Sequence, residues 1–120
     1  VTIDPNKFSI KAGAALKEKY GDKVEFINIT ARKYDPEANK YDLIYIDGNH
    51  NYPHPDNDIA LAKSMKSRFI LMDNIELGPV REAIKRHSLF DIRFDPQYFY
   101  YTNEHRGRRC PGVLGLFKIR

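Results

Sequence analysis

The sequence predicts an α/β protein: a doubly wound, mostly parallel sheet that ends in an antiparallel hairpin. Three observations predict it. Short apolar runs of strand character alternate with segments of helical period along the chain. The runs 41–47 and 69–72 are almost continuously apolar, the pattern of strands covered on both faces by crossover helices. The C-terminal part holds two long β-rich runs, 89–101 and 112–119, joined by the polar loop Thr102–Pro111, which together read as a hairpin.

Taken in order, Val1-Thr2-Ile3 is a short strand stopped at Asp4-Pro5, because a residue before proline is driven out of the helical region. Residues 8–20 have helical period, with Phe8, Ala12, Ala15, Leu16 and Lys19 or Tyr20 near one stripe, closed by Gly21-Asp22. Val24, Phe26 and Ile29 mark a second strand over roughly 23–30, and Asp35-Pro36 with Asn39 a loop. The strand 41–47 is stopped by Gly48, and residues 48–56 have no period and two prolines, so they read as a loop. Asp56 or Asn57 caps a helix through Ile59, Leu61, Ala62 and Met65. After the strand 69–72, Gly78-Pro79 opens a helix carrying Val80, Ala83, Ile84 and His87, with proline where its missing N–H does no harm.

The 120 residues, 42% hydrophobic and 30% charged, suit one domain over 1–120 with a core of its own. No apolar run approaches the roughly 20 residues of a membrane span. The opening Val-Thr-Ile-Asp-Pro has no basic start followed by an apolar stretch, so no secretion signal is expected. A single cysteine, Cys110, excludes an intrachain disulfide and a multi-cysteine zinc site, and a cytoplasmic setting is expected. The net charge of +4 is unevenly spread: residues 1–60 carry 8 Lys and Arg against 10 Asp and Glu, and residues 61–120 carry 12 against 6. A basic second half reads either as a solvated surface or as attraction for an anionic partner.

In a doubly wound sheet, ligands sit beyond the carboxyl ends of the strands. Asp4, Thr30, Asp47 and Asp73-Asn74 follow the four strands in turn. Aspartate and asparagine commonly end strands in turns, but several carboxylates at one sheet edge repel and call for a cation or for donors. Asp47, Asp73 and Asn74 are all oxygen donors of the kind a hard cation such as Mg²⁺ takes, and such an ion could orient a substrate hydroxyl. Asp4 is placed to accept the ribose hydroxyls of a nucleotide cofactor. His50, three residues past Asp47, is the candidate general base. A zinc pair of His50 with His54 is set aside, since that spacing joins ligands only on a helix and Pro53 and Pro55 oppose one there.

These motifs resemble a known family. Tyr41-Asp-Leu-Ile-Tyr-Ile-Asp-Gly-Asn-His-Asn-Tyr52 is similar to the post-strand segment of class I S-adenosylmethionine-dependent methyltransferases, in the group with an Ile-Asp-Gly-x-His-x-Tyr signature. Phe69-Ile-Leu-Met-Asp-Asn-Ile75 resembles the next strand of the metal-dependent, catechol O-methyltransferase-like branch, and Gly78-Pro-Val-Arg-Glu-Ala-Ile84 the helix start that follows in the first group. Val1-Thr-Ile-Asp-Pro5 resembles the strand whose acidic end binds the cofactor ribose. The resemblance spans about residues 1–87 and implies a Rossmann-like sheet with S-adenosylmethionine as cofactor. It implies cofactor binding by Asp4, Thr30 and Asp47, catalysis by His50 and Asp47, and metal ligation by Asp47, Asp73 and Asn74. The reaction implied is in-line transfer of the sulfonium methyl group to a hydroxyl or amine, helped by positioning and deprotonation.

The family's glycine-rich turn, which follows a central strand upstream of Asp4, has no counterpart here. The sheet is therefore expected to lack that strand, leaving a gap between the strands at 1–4 and 41–47. Either the chain is a piece of a longer protein, or another chain or a second copy fills the gap, or the strand order is rearranged. Tyr98, Phe99, Tyr100 and Tyr101, followed by Arg106, Arg108 and Arg109, support a different reading as a nucleic-acid-binding module, through base stacking and phosphate contacts. A nucleic acid could equally be the methyl acceptor. A non-catalytic interaction domain, its carboxylates serving as turn caps, is the third reading.

Overall fold

The computed structural model describes residues 2–3, 6–7, 9–23, 25–27, 33–35, 41–89, 97–105 and 107–119. The chain divides into two units, Val1–Asp35 and Pro36–Arg120.

In the first unit, β1 (Thr2–Ile3) pairs in parallel with β2 (Phe26–Ile27), with α1 (Ser9–Tyr20) as the crossover that a parallel pair requires. Gly21 ends α1 at φ +59°, the left-handed conformation that glycine adopts without steric cost, and a short 3₁₀ turn, Gly21–Lys23, follows. The expected apolar stripe is not a buried face: Ala12, Ala15, Leu16 and Tyr20 are exposed, and only Gly13 of α1 is buried. Alanines give little area for burial, so the stripe carries a weak packing signal. The expected strand 23–30 is described only at Phe26–Ile27, and Asp4 and Thr30 lie outside the described residues.

The second unit holds a four-stranded mixed sheet. Its strands are β3 (Leu43–Ile46), β4 (Phe69–Met72), β5 (Gln97–His105) and β6 (Arg108–Lys118), in the order β3-β4-β6-β5. β3 and β4 are parallel, and β6 runs antiparallel to both its neighbours. Strand side chains alternate between faces. Ile44, Ile70 and Phe117 form one cross-strand row and Ile46, Met72 and Gly115 the next, on the same face. The helices α2 (His54–Ser64) and α3 (Gly78–Arg86) pack there, closing a core of Ile59, Ala62, Ile70, Met72, Val80, Ala83, Ile84, Leu89 and Phe117. On the opposite face Leu43 and Tyr45 are 49% and 53% exposed. The chain is thus α/β with a mixed open sheet, and β1–β2 forms a separate sheet among the described residues.

Both helices end at a left-handed residue. In α3 the N–H groups of Ser88 and Leu89 donate to the carbonyls of Lys85 and Ile84, and Ser88 adopts φ +51°. Buried Leu89 supplies the apolar contact that accompanies this ending. In α2, Lys66 at φ +55° donates to Lys63, and the buried hydroxyl of Ser67 donates to the Ala62 carbonyl. Asp56, in the first turn of α2, accepts two bonds from Arg86 at 2.8 and 2.7 Å, with His87 at 3.5 Å. This ion cluster ties the two helices together and holds the Asp56 carboxyl below its usual range, chiefly through the Arg86 hydrogen bonds.

Two expected boundaries are corrected. The helix expected from Asp56 or Asn57 starts at His54, because a proline in the first turn has no helical N–H bond to lose and Pro55 occupies such a position. The expected loop Thr102–Pro111 is strand almost throughout: the β5–β6 ladder continues from Thr102↔Pro111 to His105↔Arg108, with Gly107 at φ +73° in the turn. Pro111 sits beyond the reach of β4, and among the described residues no other strand takes that side of β6, where a missing N–H breaks no ladder bond.

Candidate functional site

The site follows from the parallel register. Ile46 pairs with Met72, so the next residues, Asp47 and Asp73, leave the sheet at the same edge, and the Asp73 N–H donates to the Ile46 carbonyl at 3.0 Å. By alternation Tyr45 and Asp73 share the face opposite the helices. The Tyr45 hydroxyl donates to Asp73 Oδ2 at 3.4 Å. The Tyr101 hydroxyl, from β5, donates to Asp73 Oδ1, and the Asn74 N–H reaches the same oxygen at 2.7 Å. Burial, and then the charges of Asp47 and Asp73, push the Tyr45 phenol from 10.0 to about 12. Burial and the hydrogen bond to Asp73 push Tyr101 up as well. Both phenols are therefore held as neutral donors to a carboxylate.

Asn74 turns the chain away from the edge at φ +53°, a left-handed conformation that asparagine tolerates better than most residues. Its side-chain amide donates to Glu76 Oε1 at 3.3 Å and to the Tyr101 oxygen at 3.5 Å. The other Glu76 oxygen accepts the Val113 N–H of β6 at 3.1 Å, and the Ile75 N–H donates to the Val113 carbonyl at 3.2 Å. Gly112 makes room for the Tyr101 ring, since a Cβ there would lie 2.7 Å from Cε2 and closer still to Cζ and the hydroxyl.

On the helix side of the same edge, the loop after Asp47 lines an open depression with the first turns of α2 and α3, enclosing about 10 Å³. His50, Asp58, Asp73 and Gly48 border it. A Cβ at Gly48 would stand 2.7 Å from Asp58 Oδ2, so a side chain there would displace the Asp58 carboxylate from its present position beside the loop. His50 Nε2 is buried without a hydrogen-bond partner and lies 4.0 Å from Asp47 Oδ1. An unpartnered buried nitrogen beside a carboxylate can receive a proton from a group entering the depression.

Of the expected site residues, Asp47, His50, Asp73 and Asn74 meet at this edge. His54 begins α2 while His50 stays in the loop, so the two do not share a helix. Both Asp73 oxygens already accept protein donors and Asn74 directs its amide nitrogen to Glu76 and Tyr101, an arrangement of a hydrogen-bonded cluster rather than an open set of cation ligands. Among the described residues no group of three or more His, Cys, Asp or Glu side chains is placed to hold a metal ion. Tyr45, Asp58, Glu76, Tyr101 and Gly112 complete the edge and were not expected. Tyr45 carried a readable signal, two residues before Asp47 on one strand face. Tyr101, 28 residues from Asp73, carried none. No helix of the described residues is long and apolar enough to cross a membrane. No family model and no curated protein sequence matches the chain.

Proposed function

We propose that the chain is an S-adenosylmethionine-dependent methyltransferase-like domain whose described carboxyl edge is the acceptor side. The observation that carries this reading is the in-register β3–β4 pair. It brings Asp47 and Asp73 to one edge and His50 to the rim of the depression beside them. The depression encloses only about 10 Å³, room for roughly one water molecule, so an acceptor would present no more than its single reacting group there. His50 Nε2 is the base that takes the proton from the acceptor hydroxyl or amine, and Asp47 holds the resulting imidazolium. Asp47 and Asp73 also make the edge negative, which favours a sulfonium cofactor, from which the methyl group would come; Asp4 and Thr30 would hold its ribose end. The doubly wound arrangement belongs to this same reading, supported by the parallel β1–β2 and β3–β4 pairs. No step requires Mg²⁺.

Isothermal titration with S-adenosylmethionine tests it. Heat is expected at millimolar protein and ligand, and Asp4→Ala and Asp47→Ala should each weaken binding about tenfold, roughly 1.4 kcal/mol. His50→Ala should leave this binding unchanged. No heat from the folded wild-type chain would overturn the cofactor assignment.

A further inference from the structure

Among the described residues β5 is the last strand of its sheet, and no described strand pairs with its outer side. It is nine residues long, and Tyr98, Phe99 and Tyr100 are 44%, 50% and 81% exposed. A long exposed apolar edge strand is a template for another strand, and proteins ordinarily blunt one with lysine, proline or a bulge. Gln97–Asn103 contains no proline and no charged residue, and its ladder to β6 advances one residue at a time without a bulge.

We propose that β5 pairs antiparallel with β5 of a second copy of this chain, giving a two-fold dimer with one continuous eight-stranded sheet. Antiparallel pairing is the arrangement in which a strand can be its own partner. With the dyad at Tyr100, the most exposed of these aromatics meets its own copy. Phe99 then faces Tyr101, Tyr98 faces Thr102 and Gln97 faces Asn103. Aromatic cross-strand pairs are the favourable kind, and the absence of charge over Gln97–Asn103 removes the like-charge repulsion that usually opposes self-pairing. The chain's +4 charge lies outside this stretch.

Sedimentation of the wild-type chain over a wide dilution series should show a species of twice 14.0 kDa that dissociates on dilution. Tyr100→Lys places two like charges on the dyad and should leave only the 14.0 kDa species, with an unchanged circular dichroism spectrum. Should that variant fail to fold, hydrogen exchange of the wild type decides: β5 amides should lose protection on dilution while β4 amides keep theirs. A wild-type chain that stays monomeric, or a dimer that survives in folded Tyr100→Lys, would overturn the proposal. So would a monomer that instead binds single-stranded oligouridylate through these aromatics.

Discussion

Gly112→Ala tests whether Tyr101 is locked over the acidic edge. The added methyl would stand 2.7 Å from Tyr101 Cε2 and closer to Cζ and the hydroxyl. A shift of a few tenths of an ångström would not relieve that overlap, and the ring is held by its bond to Asp73. The ring must swing away and give up that bond. A hydrogen bond to a charged group contributes about 1.5–3 kcal/mol, and Tyr101 is half-buried, so a loss of about 2 kcal/mol is expected. Alanine in place of glycine restricts the unfolded chain and returns about 0.5–1 kcal/mol. The net destabilisation is then about 1–1.5 kcal/mol. In a Tyr101→Ala background the obstacle is gone, and Gly112→Ala should stabilise by about 0.5 kcal/mol or more. Urea unfolding of the wild type, both single variants and the double variant gives the coupling directly, expected near 2 kcal/mol at constant m-value. Tyr101 lies on the face away from the helix-side core, so its truncation leaves that core intact. Equal losses in the two backgrounds would refute the reasoning, because the ring would not be what the methyl meets.

Other outcomes follow from the same contacts. The raised phenols of Tyr45 and Tyr101 keep their protons in the fold above the pH at which the unfolded chain loses them. The Tyr45 contribution is therefore complete below pH 10 and should be lost as pH rises from 10.0 toward about 12, which Tyr45→Phe should blunt in thermal melts, and that of Tyr101 is lost in the same direction. The depressed Asp56 carboxyl acts in the opposite sense. Its contribution is present above its ordinary value of 3.8 and is lost as pH falls through its lower folded value, and Asp56→Asn should lower the melting temperature at pH 7 and flatten that acid-side decline. Ser88→Gly should stabilise by about 1 kcal/mol in urea unfolding, since glycine carries no penalty at φ +51°.

What the sequence disclosed followed the range of the interactions. β3 and β4 were legible because a continuous apolar run announces itself locally, and the acidic edge was legible because Asp47 and Asp73 directly follow those runs. The insertion of β6 between β4 and β5 was not, since it depends on pairing Met72 with Gly115 across an intervening helix. The tip of the hairpin reads as a loop because Thr102–Pro111 is polar, and polarity is as compatible with a strand as with a loop, while the start expected at 89 falls on Leu89, which closes α3 instead, with 90–96 outside the described residues. The α1 stripe misled for the converse reason: helical period is visible in Ala12, Ala15 and Leu16, but period does not create a partner surface. Tyr101 became a site residue only through the ladder that lays it across Gly112.

The bonds made by Val113 have a consequence for folding fidelity. One residue of β6 gives its carbonyl to Ile75 and its N–H to Glu76, just past the point where β4 ends. A hairpin arm sliding against β4 by a single position would exchange its two faces, carrying Phe117 out of the core and Tyr101 away from Asp73. Such a slip would also leave the Glu76 carboxylate and the Ile75 amide reaching for the wrong backbone groups. Val113 therefore works as a reading-frame marker, so that mispaired chains are penalised before any ligand is met.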